Sequence, residues 1–162
     1  MEYHDLVKDF AYRTLANLKA LRTLQSTDPG RPVFEATQLV NSMLGLLVFP
    51  QQRYLSSIPQ TPIDQLPARG WPIPKVVGDY HQVSDLRQLM RYLRNSIAHF
   101  NIEFLVNESR ELVGLRVWNV REVKLKGGVT KAVMNWKAEL SLTDLEKIVI
   151  RFVDLILEGP EA

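Results

Sequence analysis

Ser84-Asp85-Leu86-Arg87-Gln88-Leu89-Met90-Arg91-Tyr92-Leu93-Arg94-Asn95-Ser96-Ile97-Ala98-His99-Phe100, followed at once by Asn101-Ile102-Glu103-Phe104-Leu105-Val106, holds the change of periodicity that decides the fold. Leu86, Leu89, Met90, Leu93, Ile97 and Phe100 recur at three or four residues, the stripe of an amphipathic helix, and Ser84 suits its N-cap. Beyond Phe100 the period falls to two. Ile102, Phe104 and Val106 alternate with polar neighbours, then Val113, Leu115 and Val117, then Ala132, Met134, Trp136, Ala138 and Leu140. Glu108-Ser109-Arg110 and Lys126-Gly127-Gly128 are the turns between them, so the reading is a three-stranded antiparallel sheet over residues 102–140.

Helices flank this centre on both sides. From Tyr3 to Gln25, Leu6, Val7, Phe10, Ala11, Leu15, Leu18, Leu21 and Leu24 form a helical stripe, which Ser26-Thr27-Asp28-Pro29-Gly30 ends. Pro32 suits the start of a second helix, whose Phe34, Leu39, Val40, Met43, Leu44, Leu46 and Leu47 surround most of its circumference and make it the central, buried element. Pro50 stops it. Between Pro50 and Asp79 lie six of the nine prolines, which break both helix and ladder, so 50–79 reads as a long loop. Trp71, Ile73, Val76 and Val77 favour a strap anchored on the core over an active-site lid. Ser141 with Asp144 resembles a capping box, stapled by Leu140 and Leu145, at the start of a last helix. That helix carries Leu145, Ile148, Val149, Phe152, Val153 and Ile156 on one stripe. Ile150, Leu155 and Leu157 fall off it, a second apolar face suited to a subunit interface. The fold class is therefore mainly α, a helical bundle with the sheet inserted before the C-terminal helix.

Composition narrows the function classes. At 162 residues and 46% hydrophobic content the chain, 1–162, reads as a single domain with a real core. With no cysteine there is neither a disulfide nor a thiolate metal site, and the default compartment is cytoplasmic. Met1-Glu2-Tyr3-His4-Asp5 lacks the flank of a signal peptide, and Leu39 to Phe49 is far shorter than the roughly 20 residues of a membrane span, so no membrane association is expected. A net charge of +2 does not by itself argue for nucleic acid. Its distribution says more: residues 110–137 hold Arg110, Arg116, Arg121, Lys124, Lys126, Lys131 and Lys137 against Glu111 and Glu122, an excess that can follow a phosphate backbone. Trp136 sits on the apolar phase of its strand and reads as core, whereas Trp118 shares a phase with Arg116 and stands open between packing and base stacking. His4 and His81 have no ligand-type neighbours, and neither a metal nor any other cofactor is expected.

On the helix ending at His99, at about 100° per residue, Arg91, Arg94, Asn95, Ala98 and His99 gather on the side opposite the apolar stripe. Arg91 with Asn95, and Asn95 with His99, are i, i+4 pairs able to share one ligand, and the small Ala98 leaves room for a phosphate oxygen or base edge. Arg87 could extend that groove or merely line the helix. The bland alternative is a solvated helix face.

Arg94-Asn95-Ser96-Ile97-Ala98-His99 resembles the signature of the HEPN superfamily: Arg, a polar residue, a short spacer and His near the end of a helix. The rest of the chain, including Leu47-Val48-Phe49-Pro50, looks like a small HEPN subfamily carried by bacteria and plasmids. The resemblance implies a homodimeric endoribonuclease that needs no metal, with Arg94, Asn95 and His99 catalytic and Arg87, Arg91, Arg116, Arg121, Lys124 and Lys126 as RNA-binding candidates. In it His99 would take a ribose 2′-OH proton, Arg94 would stabilise charge on the phosphate, and Asn95 would orient His99. The role implied by analogy is that of a toxin or defence factor. The alternative is a non-catalytic module binding RNA, nucleotide or protein, with an antitoxin or a nucleotidyltransferase as its partner.

Overall fold

The computed structural model describes residues 5–28, 30, 35–48, 56–126 and 128–158. Its helices are α1 (Leu6–Thr27), α2 (Glu35–Val48), α3 (Leu86–Ala98) and α4 (Leu142–Glu158), and its strands are β1 (Lys75–Val76), β2 (Ile102–Val106), β3 (Leu112–Lys124) and β4 (Thr130–Ser141). The strands form one antiparallel sheet in the order β1-β4-β3-β2. Four strands replace the expected three, because Lys75 and Val76 leave the proline-rich stretch in extended form and pair with Glu139 and Ala138 of β4. No proline falls inside this pair, so its backbone amides are free to join the ladder. The expectations at His4, Pro29, Pro32, Phe34, Pro50 and Gly127 lie outside the described residues.

Helices α3 and α4 pack on the sheet, and α2 touches all three other helices, as its nearly continuous apolar circumference requires. Leu115 and Val117 of β3 with Trp136, Ala138 and Leu140 of β4 are buried beneath the helices, while Arg116, Trp118, Lys137 and Glu139 alternate onto the opposite face. One core unites these residues with Leu89, Leu93 and Ile97 of α3 and Ile148, Val149 and Phe152 of α4. In α1 the buried positions are Val7, Ala11, Thr14 and Leu18, a stripe narrower than the sequence suggested, with Leu6 and Leu24 exposed.

Local chemistry sets the ends of the elements. Asp85, rather than Ser84, is the N-cap of α3: its carboxylate accepts from the Gln88 amide at 2.8 Å, while Gln88 Oε1 accepts from the Ser84 amide at 2.6 Å. At α4 the capping box forms as read, Ser141 Oγ accepting from the Asp144 amide and Asp144 Oδ2 from the Ser141 amide. Leu155 and Leu157 of α4 are partly buried against the core, so they do not make the free second face that the wheel suggested.

Residues 56–74 form an anchored strap. Ile58, Leu66 and Trp71 are buried, two short 3-10 turns (Ile63–Gln65 and Pro67–Arg69) carry the chain between them, and Ile73 remains exposed. Arg87 of α3 fastens the strap, its Nε donating to the Ile58 carbonyl at 2.7 Å and its Nη2 to the Ser56 carbonyl at 3.0 Å.

Candidate functional site

The end of α3 is shaped by its backbone. The Phe100 amide donates to the Ile97 carbonyl at 3.1 Å and the Asn101 amide to the Ser96 carbonyl at 2.7 Å, the bonding of a Schellman motif with Phe100 in the left-handed position at φ 55°. That position normally takes glycine, since a Cβ there is strained. The turn swings Phe100 off the core stripe to 74% exposure, contrary to the sequence reading, and leaves His99 exposed at the helix cap. Phe104 and Val106 of the edge strand β2, expected to pack, are also exposed, because no described helix covers this edge.

Arg94 and Asn95, one and a half turns and one turn before His99, are half-buried. Arg94 Nη1 donates to Asn95 Oδ1 at 2.7 Å. Asn95 Nδ2 donates to Asn119 Oδ1 of β3 at 3.0 Å, so the Asn95 side chain is bonded to Arg94 and Asn119, with no hydrogen bond to His99 among the described residues. Arg94 Nε is buried with no hydrogen-bond partner, and Nη2 also has none among the described residues. The guanidinium is thus fixed through Nη1, and Nη2 is the nitrogen left for an acceptor brought from outside.

A family model, HEPN pEK499 p136, matches residues 1–161. The chain belongs to this HEPN family. No curated protein and no solved structure matches it.

In this HEPN chain the motif and the sheet are joined. Ser96, fully buried, places its hydroxyl 2.7 Å from the Trp118 carbonyl of β3, to which it donates, and 2.8 Å from the Tyr92 carbonyl. Asn119 Nδ2 donates to Asn135 Oδ1 of β4 at 2.6 Å, and Asn135 Nδ2 donates to the Tyr92 hydroxyl at 2.9 Å, returning to α3. Sequence reading missed Ser96, Asn119, Asn135 and Tyr92. For Asn119 a signal existed: it continues the Leu115-Val117 phase, so an amide stands where the pattern calls for an apolar side chain. For Asn135 there was none, because a bulge decides its direction. Asn119 pairs with Trp136 and Val120 with Met134, leaving Asn135 without a cross-strand partner, so it turns to the same side as Trp136. The same shift moves Met134 and Ala132 off the phase that the sequence assigned them.

The RNA-binding candidates divide. Arg91 is exposed one turn before Asn95. Arg87 is committed to the strap. Arg116 lies on the sheet face away from the helices, where Nη2 pairs with Glu139 at 2.6 Å and Nη1 with Glu103 at 2.7 Å; Glu139 first and then Glu103 raise its pKa above the ordinary guanidinium value. Arg121, Lys124 and Lys126 are exposed on the β3–β4 hairpin, with Lys131 opposite Val123. Among the described residues no cluster of His, Cys, Asp and Glu could hold a metal ion, and no helix is long and apolar enough to cross a membrane.

Proposed function

We propose that this HEPN chain is an endoribonuclease acting as a homodimer without a metal ion. The observation that carries the reading is Arg94: a half-buried cation pinned through Nη1, with a buried Nε lacking a partner, five residues before an exposed histidine at a helix end. The Nη2 end of this guanidinium has no partner among the described residues, and a phosphate oxygen would supply one. In the reaction His99 takes the proton from a ribose 2′-OH, and the 2′-oxygen attacks the adjacent phosphorus. Arg94 donates to the phosphate oxygens as charge builds on the pentacoordinate transition state. The 5′-oxygen leaves with a proton from His99 of the second copy, giving a 2′,3′-cyclic phosphate and a 5′-OH. One protomer offers one histidine at this motif, and two-fold symmetry supplies base and acid together. Exposed Phe100, Phe104 and Val106 beside the motif are the apolar surface that such a dimer would cover. The biological role we propose is that of a toxin or defence factor, with an antitoxin as its partner.

The second reading, an RNA-, nucleotide- or protein-binding module working with a nucleotidyltransferase, is favoured by one observation. The imidazole of His99 has no hydrogen bond to any described residue that would orient it as a base. The test is an RNA with a 2′-O-methyl group at the nucleotide where cleavage occurs, incubated in EDTA beside its unmodified form. The nuclease reading expects cleavage of the unmodified strand alone, with a 2′,3′-cyclic end. Cleavage of both strands would remove the 2′-hydroxyl mechanism, and cleavage of neither across a range of RNAs would favour the binding module.

A further inference from the structure

Five side chains form a hydrogen-bonded path between α3 and the sheet, running from Tyr92 through Asn135 and Asn119 to Asn95 and on to Arg94. Each link donates in the same direction. Arg94 donates a hydrogen bond to Asn95, Asn95 to Asn119, Asn119 to Asn135, and Asn135 to the Tyr92 oxygen, at 2.7, 3.0, 2.6 and 2.9 Å. Every amide therefore turns its oxygen, the negative end of its dipole, toward the Arg94 cation. Aligned hydrogen bonds in a low-dielectric setting polarise one another, so the chain stabilises the charge and fixes the plane of the guanidinium.

The path also begins and ends on one helix. Tyr92 and Asn95 are i, i+3 neighbours on α3, whereas Asn119 and Asn135 belong to adjacent strands brought together by the β4 bulge. Asn119 is only 3% exposed and continues the phase of the buried Val117, paired across the sheet with the buried Trp136. What an amide adds there is direction. Once Asn119 and Asn135 are held by the sheet, Asn95 has one amide orientation that satisfies both its neighbours, and Arg94 has one way to point its remaining donors.

We propose that Asn119 and Asn135 are positioning residues for Arg94, acting through Asn95. The kinetic part of this proposal rests on the nuclease reading, while the structural part does not. Misplacing a reacting group by about 1 Å can cost on the order of a hundredfold in rate, so loss of the relay is expected to lower kcat by roughly ten- to a hundredfold with KM nearly unchanged.

The experiment uses the full chain and reads the Arg94 Nε–Hε resonance in nitrogen-15 spectra, assigned by its disappearance in Arg94→Lys. Beside it runs steady-state RNA cleavage. In Asn119→Leu the resonance is expected to shift and its exchange with water to speed up, with kcat reduced. Asn119→Asp keeps the acceptor for Asn95, since Asn135 can flip its amide toward the new oxygen, and is expected to restore both readouts. Asn135→Ala, at a less buried position, gives an intermediate loss and serves if Asn119→Leu does not fold. An unchanged Arg94 resonance and exchange rate in folded Asn119→Leu or Asn135→Ala overturns the proposal, whether or not the wild type cleaves RNA. A wild type that leaves RNA intact while the resonance responds upholds the positioning role and retires the nuclease reading alone.

Discussion

Replacing Ser96 with alanine removes one oxygen atom from the joint between α3 and the sheet, and the cost can be worked from the bonds around it. The Trp118 amide donates to the Asn101 carbonyl at 3.2 Å, but the Asn101 amide, which would return a bond in an antiparallel pair, is taken by the Ser96 carbonyl in the helix cap. The Trp118 carbonyl is instead met by the Ser96 hydroxyl at 2.7 Å. Ser96→Ala therefore orphans a carbonyl at a fully buried side chain, a penalty of about 1–3 kcal/mol. Alanine recovers about 0.5 kcal/mol through better helix propensity. The net loss is about 0.5–2.5 kcal/mol, which for a domain of this size lowers Tm by roughly 1–10 °C. Thermal melting and urea unfolding at one fixed protein concentration would measure it, since the proposed dimerisation would make apparent stability depend on concentration. A shift below about 1 °C would refute the reasoning, because it would mean that water or the ladder already satisfies that carbonyl.

Phe100→Gly is expected to raise Tm by a few degrees, about 1 kcal/mol, since glycine relieves the left-handed strain at φ 55° and a side chain 74% exposed gives up little burial. A concurrent fall in dimer affinity by sedimentation would show that the strained position is kept for the aromatic ring. Arg87→Ala should cost about 1 kcal/mol through its two bonds to the strap and leave RNA affinity unchanged, as a melting curve and a gel-shift titration would tell. Neutralising Arg116 should likewise leave the salt dependence of RNA binding as it was, whereas Lys124→Gln with Lys126→Gln should flatten it by about one to two phosphate contacts.

The helices and the Arg94–His99 motif were legible in the sequence because they rest on local patterns: a 3.6-residue stripe, a reciprocal cap at Ser141 and Asp144, and six consecutive residues of a family signature. What escaped was set by tertiary contact. The β1 pair exists only because β4 offers an edge to Lys75 and Val76, and nothing in those two residues announces a strand. Arg116 reads as a phosphate ligand until Glu103 and Glu139 are seen beside it from neighbouring strands. Phe100 fits the core stripe by spacing, but the helix ends two residues earlier, at Ala98, and the left-handed turn carries it away. The amide path from Tyr92 to Asn95 depends on a bulge, which alternation cannot foresee. The sequence thus points to the site residues on one helix, while the partners that hold them come from strands 22 to 43 positions away.

The most direct test of the account is RNA turnover by purified wild type, Arg94→Ala and His99→Ala in EDTA, with melting curves of all three proteins. The account predicts cleavage by the wild type and loss of at least about a hundredfold in each variant, with His99→Ala, at an exposed helix end, melting as the wild type does. Cleavage that persists in folded His99→Ala or Arg94→Ala would contradict it and place the chemistry elsewhere on the chain.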